Sequence, residues 1–198
     1  MNGKAYVTGV GMVAFQKPGK SESYDVMAAK AARTALEDAG LDYDKVQQAY
    51  AGYVYGDSTC GQRALYRVGM TRIPVINVNN NCSTGSTALF LARQAVESGA
   101  VDCALALGFE QMQPGAIGAM FSDRVSPFAA FDEETDNLVG NTGIPLALRY
   151  FGGAGKAHME EFGTTLVTFA KIRAKASRHA AKNPVALFRQ EVTPEDVM

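Results

Sequence analysis

The residue with the clearest chemical potential is Cys82. It lies in the run Val78-Asn79-Asn80-Asn81-Cys82-Ser83-Thr84-Gly85-Ser86, after a strand-like segment and before a long helix-like one. A helix N-terminus carries unpaired N–H groups and the positive end of the macrodipole. Both favour a thiolate over a thiol, and the thiolate is the nucleophile. The run has a second reading, an inert packed thiol after a plain turn, because cysteine is among the most buried residue types. Asparagines suit the turn in either case, since their side chains bond to nearby backbone.

The other reactive groups are few. Cys60 and Cys103 are the remaining cysteines, and His158 and His179 are the two histidines. An odd count of widely spaced cysteines, with no signal-peptide core after Met1, reads as reduced thiols in a cytosolic setting. No CxxC pair exists, which argues against a zinc site, and no metal ligand set is expected. Gly9-Val10-Gly11 lacks the third glycine of a dinucleotide loop, and no acidic residue follows at the expected distance. Cys103, in an apolar run, reads as a packed thiol. His158 and His179 read as surface residues on the basic helix, with His158 also a candidate near a ligand loop.

The elements that must position Cys82 alternate along the first 110 or so residues. Ala5–Val10 reads as a short strand. Residues 24–39 read as a helix, with Val26, Met27, Ala31, Ala35 and Leu36 near helical spacing and Gly40 as its stop. Residues 49–54 form a second strand candidate, 62–68 a short helix, and the β-branched run 73–78 a third strand. Residues 84–98 form the helix behind Cys82. Small and apolar residues crowd three of its sides, and only Arg93, Gln94 and Glu97 look solvated. Such a helix is expected to be buried nearly all round. Residues 101–108 are a continuous apolar run, as in a strand covered on both faces. The alternation implies an α/β fold with a parallel sheet and right-handed crossovers.

After residue 110 the character changes. Residues 111–155 are rich in Gly, Met, Pro, Phe and Asn with little periodicity, the pattern of a binding loop or lid. Residues 156–182 return to a basic helix ended by Asn183-Pro184. Thr193-Pro194-Glu195-Asp196 reads as a further helix start, with a threonine cap, proline next and an acidic first turn. The expected division is therefore residues 1–110 as the α/β unit and 111–198 as a loop or lid insertion.

Composition sets outer limits. The chain has 198 residues, 47% hydrophobic, with 19 basic and 20 acidic residues. No basic field exists to hold a phosphate backbone, so nucleic acid is not expected as a partner. No apolar run approaches ~20 residues, so no membrane partner is expected either.

Longer motifs carry a resemblance. Val78 to Leu89, with Cys82 inside it, resembles the nucleophilic-cysteine signature of thiolases. More particular are Gly52-Tyr53-Val54-Tyr55-Gly56-Asp57-Ser58-Thr59-Cys60-Gly61-Gln62-Arg63 and Ala106-Leu107-Gly108-Phe109-Glu110-Gln111-Met112. Phe121-Ser122-Asp123-Arg124 and Gly155-Lys156-Ala157-His158-Met159-Glu160 add to them. Together they resemble the thiolase domain of the sterol carrier protein X type and its bacterial relatives, called lipid-transfer proteins or acetyl-CoA acetyltransferases. The resemblance runs over nearly the whole chain.

It implies a thiolase-like fold, the first half of a five-layered αβαβα sandwich with an inserted loop domain. It implies that Cys82 carries the acyl group of an acyl-CoA and that its own N–H helps stabilise the tetrahedral oxyanion. No cofactor is implied, since coenzyme A is a substrate. Tyr150 and Phe151 fall where the family lines its pantetheine channel, with packing inside the loop as the alternative reading. Arg124, Lys171, Arg173, Lys175 and Arg178 are candidates for the CoA phosphates, or a solvated helix face. The partners implied are acyl-CoA, CoA and a second copy of the chain in a homodimer or higher oligomer. Cys60 falls near the expected subunit contact. The compartment implied is cytoplasmic, or peroxisomal in a eukaryote.

The departure is length. Thiolases are about twice this long, and their catalytic histidine, second cysteine and second oxyanion hole lie in a C-terminal half with no counterpart here. The expectation is that this half, or a complementary subunit, completes the site, and that the chain alone does not turn over. Two alternatives stand beside this reading. One is a thiolase-like aldolase of sterol side-chain breakdown, which cleaves a carbon–carbon bond without an acyl-cysteine. The other is a non-catalytic subunit for scaffolding or lipid handling.

Overall fold

The architecture was obtained as a computed structural model, which describes residues 3–115, 121–141 and 143–198. Parts of the expected irregular stretch, residues 116–120 and Thr142, lie outside the described residues. The chain divides into two compact units, Met1–Pro114 and Gly115–Met198.

The first unit is a parallel α/β layer structure. Helix α1 spans Tyr24–Ala39, β1 Gln48–Gly52, α2 Cys60–Tyr66, β2 Val75–Val78, α3 Thr84–Glu97 and β3 Ala104–Gly108. The strand order is β2-β1-β3, with both pairings parallel. Alternation along the strands assigns the two faces. Ala49, Leu105 and Leu107 pack with Ala28 and Ala32 of α1 and Ala64 and Leu65 of α2. Tyr50, Ile76, Ala104 and Ala106 pack with Ala88, Ala92 and Ala95 of α3. Burial on both faces is why the strands read as apolar runs. Helix α1 ends where Gly40 takes a left-handed conformation (φ 61°), with Leu41 N–H bonding back to Leu36 O at 3.0 Å.

Three sequence expectations are corrected here. Ala5–Val10 is not a strand. It runs as extended chain along α1, with Tyr6, Val7 and Val10 exposed. Val10 N–H donates to Asp38 Oδ2 at 2.8 Å. Gly9 presses on Ala35 O and Ala39, and Gly11 on Ala31 O and Ala35, so closely that no Cβ fits at either position. The glycines serve helix contact, not a sheet, and among the described residues the sheet has three strands. The helix behind Cys82 is not buried all round. Its small residues Ala88, Ala92 and Ala95 form one buried face, while Leu89 and Phe90 are exposed.

The third correction concerns the second unit. The stretch 111–155 contains helices α4 (Ala129–Val139) and α5 (Leu146–Phe162), followed by α6 (Leu166–Ala181) and α7 (Pro194–Val197). The expected single helix 156–182 is two, broken where Gly163 turns left-handed (φ 68°). Side-chain anchors hold α4 against α5. Buried Arg149 pairs with Asp136 and donates to Gly140 O at 3.0 Å, and Tyr150 donates to Asp132. These anchors hold α5 despite Gly152 and Gly153 within it. Near the end, buried Ser177 Oγ accepts from Val192 N–H at 3.0 Å, and Thr193 forms a capping box with Asp196.

Candidate active site

Ligands of open parallel sheets bind outside the carboxyl ends of the strands. Here those ends are Gly52, Val78 and Gly108, in register with one another. Tyr53 N–H donates to Val78 O at 3.2 Å and Phe109 N–H to Gly52 O at 3.1 Å, which carries the ladder one residue further. The glycine in β1 has a steric cause. A Cβ on Gly52 would lie 2.6 Å from Thr84 Cγ2 and 2.8 Å from Thr84 O. The first residue of α3 therefore rests on bare β1 backbone, and Gly85 Cα would lie 3.5 Å from a Cβ at Gly108.

The Asn run builds the entry to α3. Asn81 takes a positive φ of 48°, a conformation asparagine tolerates. Thr84 is buried, and its hydroxyl accepts from Asn80 N–H at 2.8 Å and donates to Asn81 O at 2.5 Å. Asn80 Nδ2 reaches Thr87 Oγ1 at 2.9 Å. Asn77 ties α2 to β2: its Oδ1 accepts from Gly61 N–H at 2.9 Å and its Nδ2 donates to Gln62 Oε1 at 2.7 Å.

This packing leaves Cys82 exposed, two residues before the first turn of α3. In this chain Cys82 is therefore not the packed thiol of the second reading. Ser83, at the cap position, makes no side-chain cap bond. Ser83 N–H and Thr84 N–H are already taken by Asn80 O and Asn81 O, each at 3.1 Å, and Cys82 precedes the positive end of the helix, a place that favours nearby negative charge.

Two residues of the motifs above, Tyr55 and Glu110, stand at the same end of the sheet, after β1 and β3. The Glu110 carboxylate accepts from Val54 N–H at 2.9 Å and from Tyr55 N–H at 3.0 Å. Burial pushes the Tyr55 phenol up, and the charges of Glu110 and Cys82 push it further. Phe109 beneath them stacks on Tyr53 and Tyr24, with centroids 5.2 and 5.4 Å apart. The signal available in the sequence was an acidic residue directly after an apolar parallel strand.

The remaining thiols lie elsewhere. Cys60 is buried at the start of α2, and its hydrogen bond with Tyr24 pushes that phenol up to about 12. Cys103 is half-buried just before β3, and burial pushes its thiol up.

Tyr150 and Phe151 both lie on α5 in the second unit. The Tyr150 hydroxyl is engaged by Asp132, which pushes the phenol up to about 12, while Phe151 is 80% exposed. The Arg124 guanidinium is held by Asp123 through two bonds of 2.8 Å and lies 4.3 Å over the Phe121 ring. Lys171, Arg173, Lys175 and Arg178 are exposed along α6. His158 is exposed on α5 against Phe162, and His179 is exposed on α6. Among the described residues no cluster of His, Cys, Asp and Glu is arranged to hold a metal ion. No helix among them is long and apolar enough to cross a membrane.

Comparison with known proteins gives the same picture from another side. Residues 4–198 match the family described as thiolase, N-terminal domain. The chain is 50% identical to sterol carrier protein 2 of Homo sapiens over 201 residues, covering 98% of this chain and 36% of that protein. It is 35% identical to the benzoylsuccinyl-CoA thiolase subunit BbsB of Thauera aromatica, covering 98% of this chain and 48% of that one. In fold it superposes on the Ltp2–ChsH2(DUF35) aldolase with a TM-score of 0.73 at 21% identity, over 98% of this chain and 48% of the other. The chain thus spans between about a third and a half of the length of these relatives.

Proposed function

We propose, from the premise that this chain belongs to the thiolase family, that Cys82 takes an acyl group from an acyl-CoA as a thioester. In the cleavage direction the Cys82 thiolate adds to the keto carbon of a 3-oxoacyl-CoA. The carbon–carbon bond on its CoA side then breaks. The electron pair leaves with the CoA-bearing fragment, which is protonated to the shorter acyl-CoA, and the remaining acyl group stays on sulfur. Free CoA attacks that thioester, carries the acyl group away, and returns the thiolate and a proton. Condensation is the reverse sequence.

The observation that carries this reading is the exposed Cys82 thiol set before the uncapped start of α3. In this reading the Cys82 N–H supplies an oxyanion donor. The proton-transfer groups come from a second thiolase half, in the same polypeptide or in a separate subunit. Fatty-acid or sterol side-chain degradation is the setting we assign, and the second unit, with Tyr150 and Phe151, is the part we assign to the acyl and pantetheine groups. Edge strand β2 is the surface we assign to pairing with a second copy, which would hide its open ladder.

The aldolase reading has the likeness in fold to Ltp2 in its favour. The two separate on one measurement. The chain, completed by a second thiolase half, is incubated with acetyl-CoA or a 3-oxoacyl-CoA and its intact mass recorded. An added acyl mass, lost on hydroxylamine treatment and absent in Cys82→Ala, is the expected result. Carbon–carbon cleavage with no adduct on Cys82 supports the aldolase. No cleavage and no adduct supports a scaffolding or lipid-handling role.

A further inference from the structure

We propose that Thr84 is a positioning residue for Cys82: its hydroxyl fixes the Asn81–Cys82 peptide group and so aims the Cys82 N–H. The proposal rests on the reading of Cys82 as the acyl carrier and deepens it, by naming the side chain that sets the direction of the oxyanion donor.

The link runs through bonds. Thr84 Oγ1 donates to Asn81 O at 2.5 Å, and Thr84 N–H donates to the same oxygen at 3.1 Å. The Asn81 carbonyl and the Cys82 N–H belong to one planar trans peptide group, so they point in opposite directions. Holding the oxygen toward Thr84 therefore turns the Cys82 N–H away from it. The same hydroxyl accepts from Asn80 N–H at 2.8 Å, so it grips the chain at two points just before Cys82. The neighbouring amides are committed inside the turn. Asn81 N–H donates to Asn79 Oδ1 at 3.3 Å, and Ser83 N–H to Asn80 O at 3.1 Å.

Two features make this hydroxyl a firm reference point. Thr84 is buried, and its Cγ2 lies where a Cβ on Gly52 would fall, so the side chain is seated on the sheet. Asn81 stands at a positive φ of 48°, a conformation that persists when its surroundings hold it. A flip of the Asn81–Cys82 peptide would reverse the carbonyl and the N–H together, and the Thr84 hydroxyl opposes it. The chemical consequence is selective. Acyl transfer to Cys82 Sγ develops negative charge on the acyl oxygen, and a donor aimed at that oxygen in advance lowers the barrier. Alkylation of the same sulfur passes through no oxyanion, so it does not depend on that donor.

The test uses the 198-residue chain itself and compares two reagents at Cys82 by peptide mass. Iodoacetamide reports the thiolate alone. p-Nitrophenyl acetate transfers its acetyl group to sulfur, releases p-nitrophenolate, and passes through an oxyanion. Thr84→Val keeps the shape of the side chain and removes the hydroxyl, while the backbone N–H at that position still bonds to Asn81 O. Outright loss of an oxyanion donor costs about 10²–10³-fold, so this partial loss of aim is expected to slow acetylation about tenfold and alkylation by less than about twofold. Thr84→Ser keeps the hydroxyl and loses the methyl group over Gly52. It is expected to acetylate within about twofold of the parent even with a lower melting temperature. Unslowed acetylation in Thr84→Val, or equal slowing with both reagents, overturns the proposal. Acetylation in Thr84→Ser that is about tenfold slow overturns it as well, and does so even if Thr84→Val fails to fold. A parent chain that is alkylated at Cys82 but takes no acetyl group removes the acyl-carrier reading itself, and the proposal falls with it.

Discussion

Replacing Gly52 with alanine tests how the sheet sets the position of Cys82. The added Cβ would meet Thr84 Cγ2 at 2.6 Å and Thr84 O at 2.8 Å, whereas ordinary contacts begin near 3.4 Å. Neither neighbour is the free end of a flexible chain. Thr84 is buried, and its hydroxyl is bonded to Asn80 N–H and Asn81 O. Relief requires α3 to lift by somewhat under 1 Å, a distortion of the kind that costs about 1–3 kcal/mol in packed cores. With a urea slope of about 2 kcal/mol per molar, the unfolding midpoint should fall by about 1 M. The lift also disturbs the turn that carries Cys82. Over so short a distance only part of a dipole effect worth about 0.3–1 kcal/mol is lost, so alkylation of Cys82 by iodoacetamide should slow by up to about twofold at neutral pH. Gly85→Ala is the matched control. Nothing lies within 4 Å of its added Cβ, and its position in α3 rewards alanine by up to about 1 kcal/mol. A Gly52→Ala protein with the parent's midpoint and alkylation rate would refute the claim that bare β1 backbone seats the Cys82 turn.

Three more outcomes are expected. Hydrogen bonding from Ser23, and then from Arg67 and Arg63, lowers the carboxyl of buried Asp25 from 3.8 to about 2. Its folded value lies below its unfolded one, so the stabilisation is full above pH 3.8 and is lost as pH falls toward 2. Asp25→Asn should cost about 2 kcal/mol at pH 7 and nearly nothing at pH 2 by urea titration, and an equal cost at both would contradict the ion pairing. Ser177→Ala leaves the Val192 N–H without its 3.0 Å partner, so thermal melting should report a loss of about 1–2 kcal/mol. Size-exclusion chromatography should give a dimer or larger species, since β2 and β3 both stand at sheet edges among the described residues. A stable monomer would count against β2 as a pairing surface.

Much of this arrangement was legible in the residues. The bounds of α1 and the start of α3 follow from helical spacing between clear stop and turn residues, and so does the position of Cys82 between strand and helix. Misreadings arose where local chemistry had two physical outlets. Gly9 and Gly11 read as the end of a strand, but the same absence of Cβ lets the chain lie against α1. Gly152 and Gly153 read as loop, yet Arg149 and Tyr150 beside them anchor α5 to Asp136 and Asp132 on α4. Glu110 carried no periodic signal, because its partners are amides 55 and 56 positions away in the chain.

The sequence by itself determined the parallel α/β order, the helix behind Cys82 and the thiolase relationship. These depend on spacing, turn residues and motif, all local along the chain. Only the tertiary structure decided that Cys82 is exposed and not packed, that α3 buries one face, and that Glu110 clamps the Tyr55 turn. Those outcomes depend on which strand ends come together in space. Gly52 admits Thr84 only because β1 lies between β2 and β3, and that neighbourhood is a property of the folded sheet and not of any single segment.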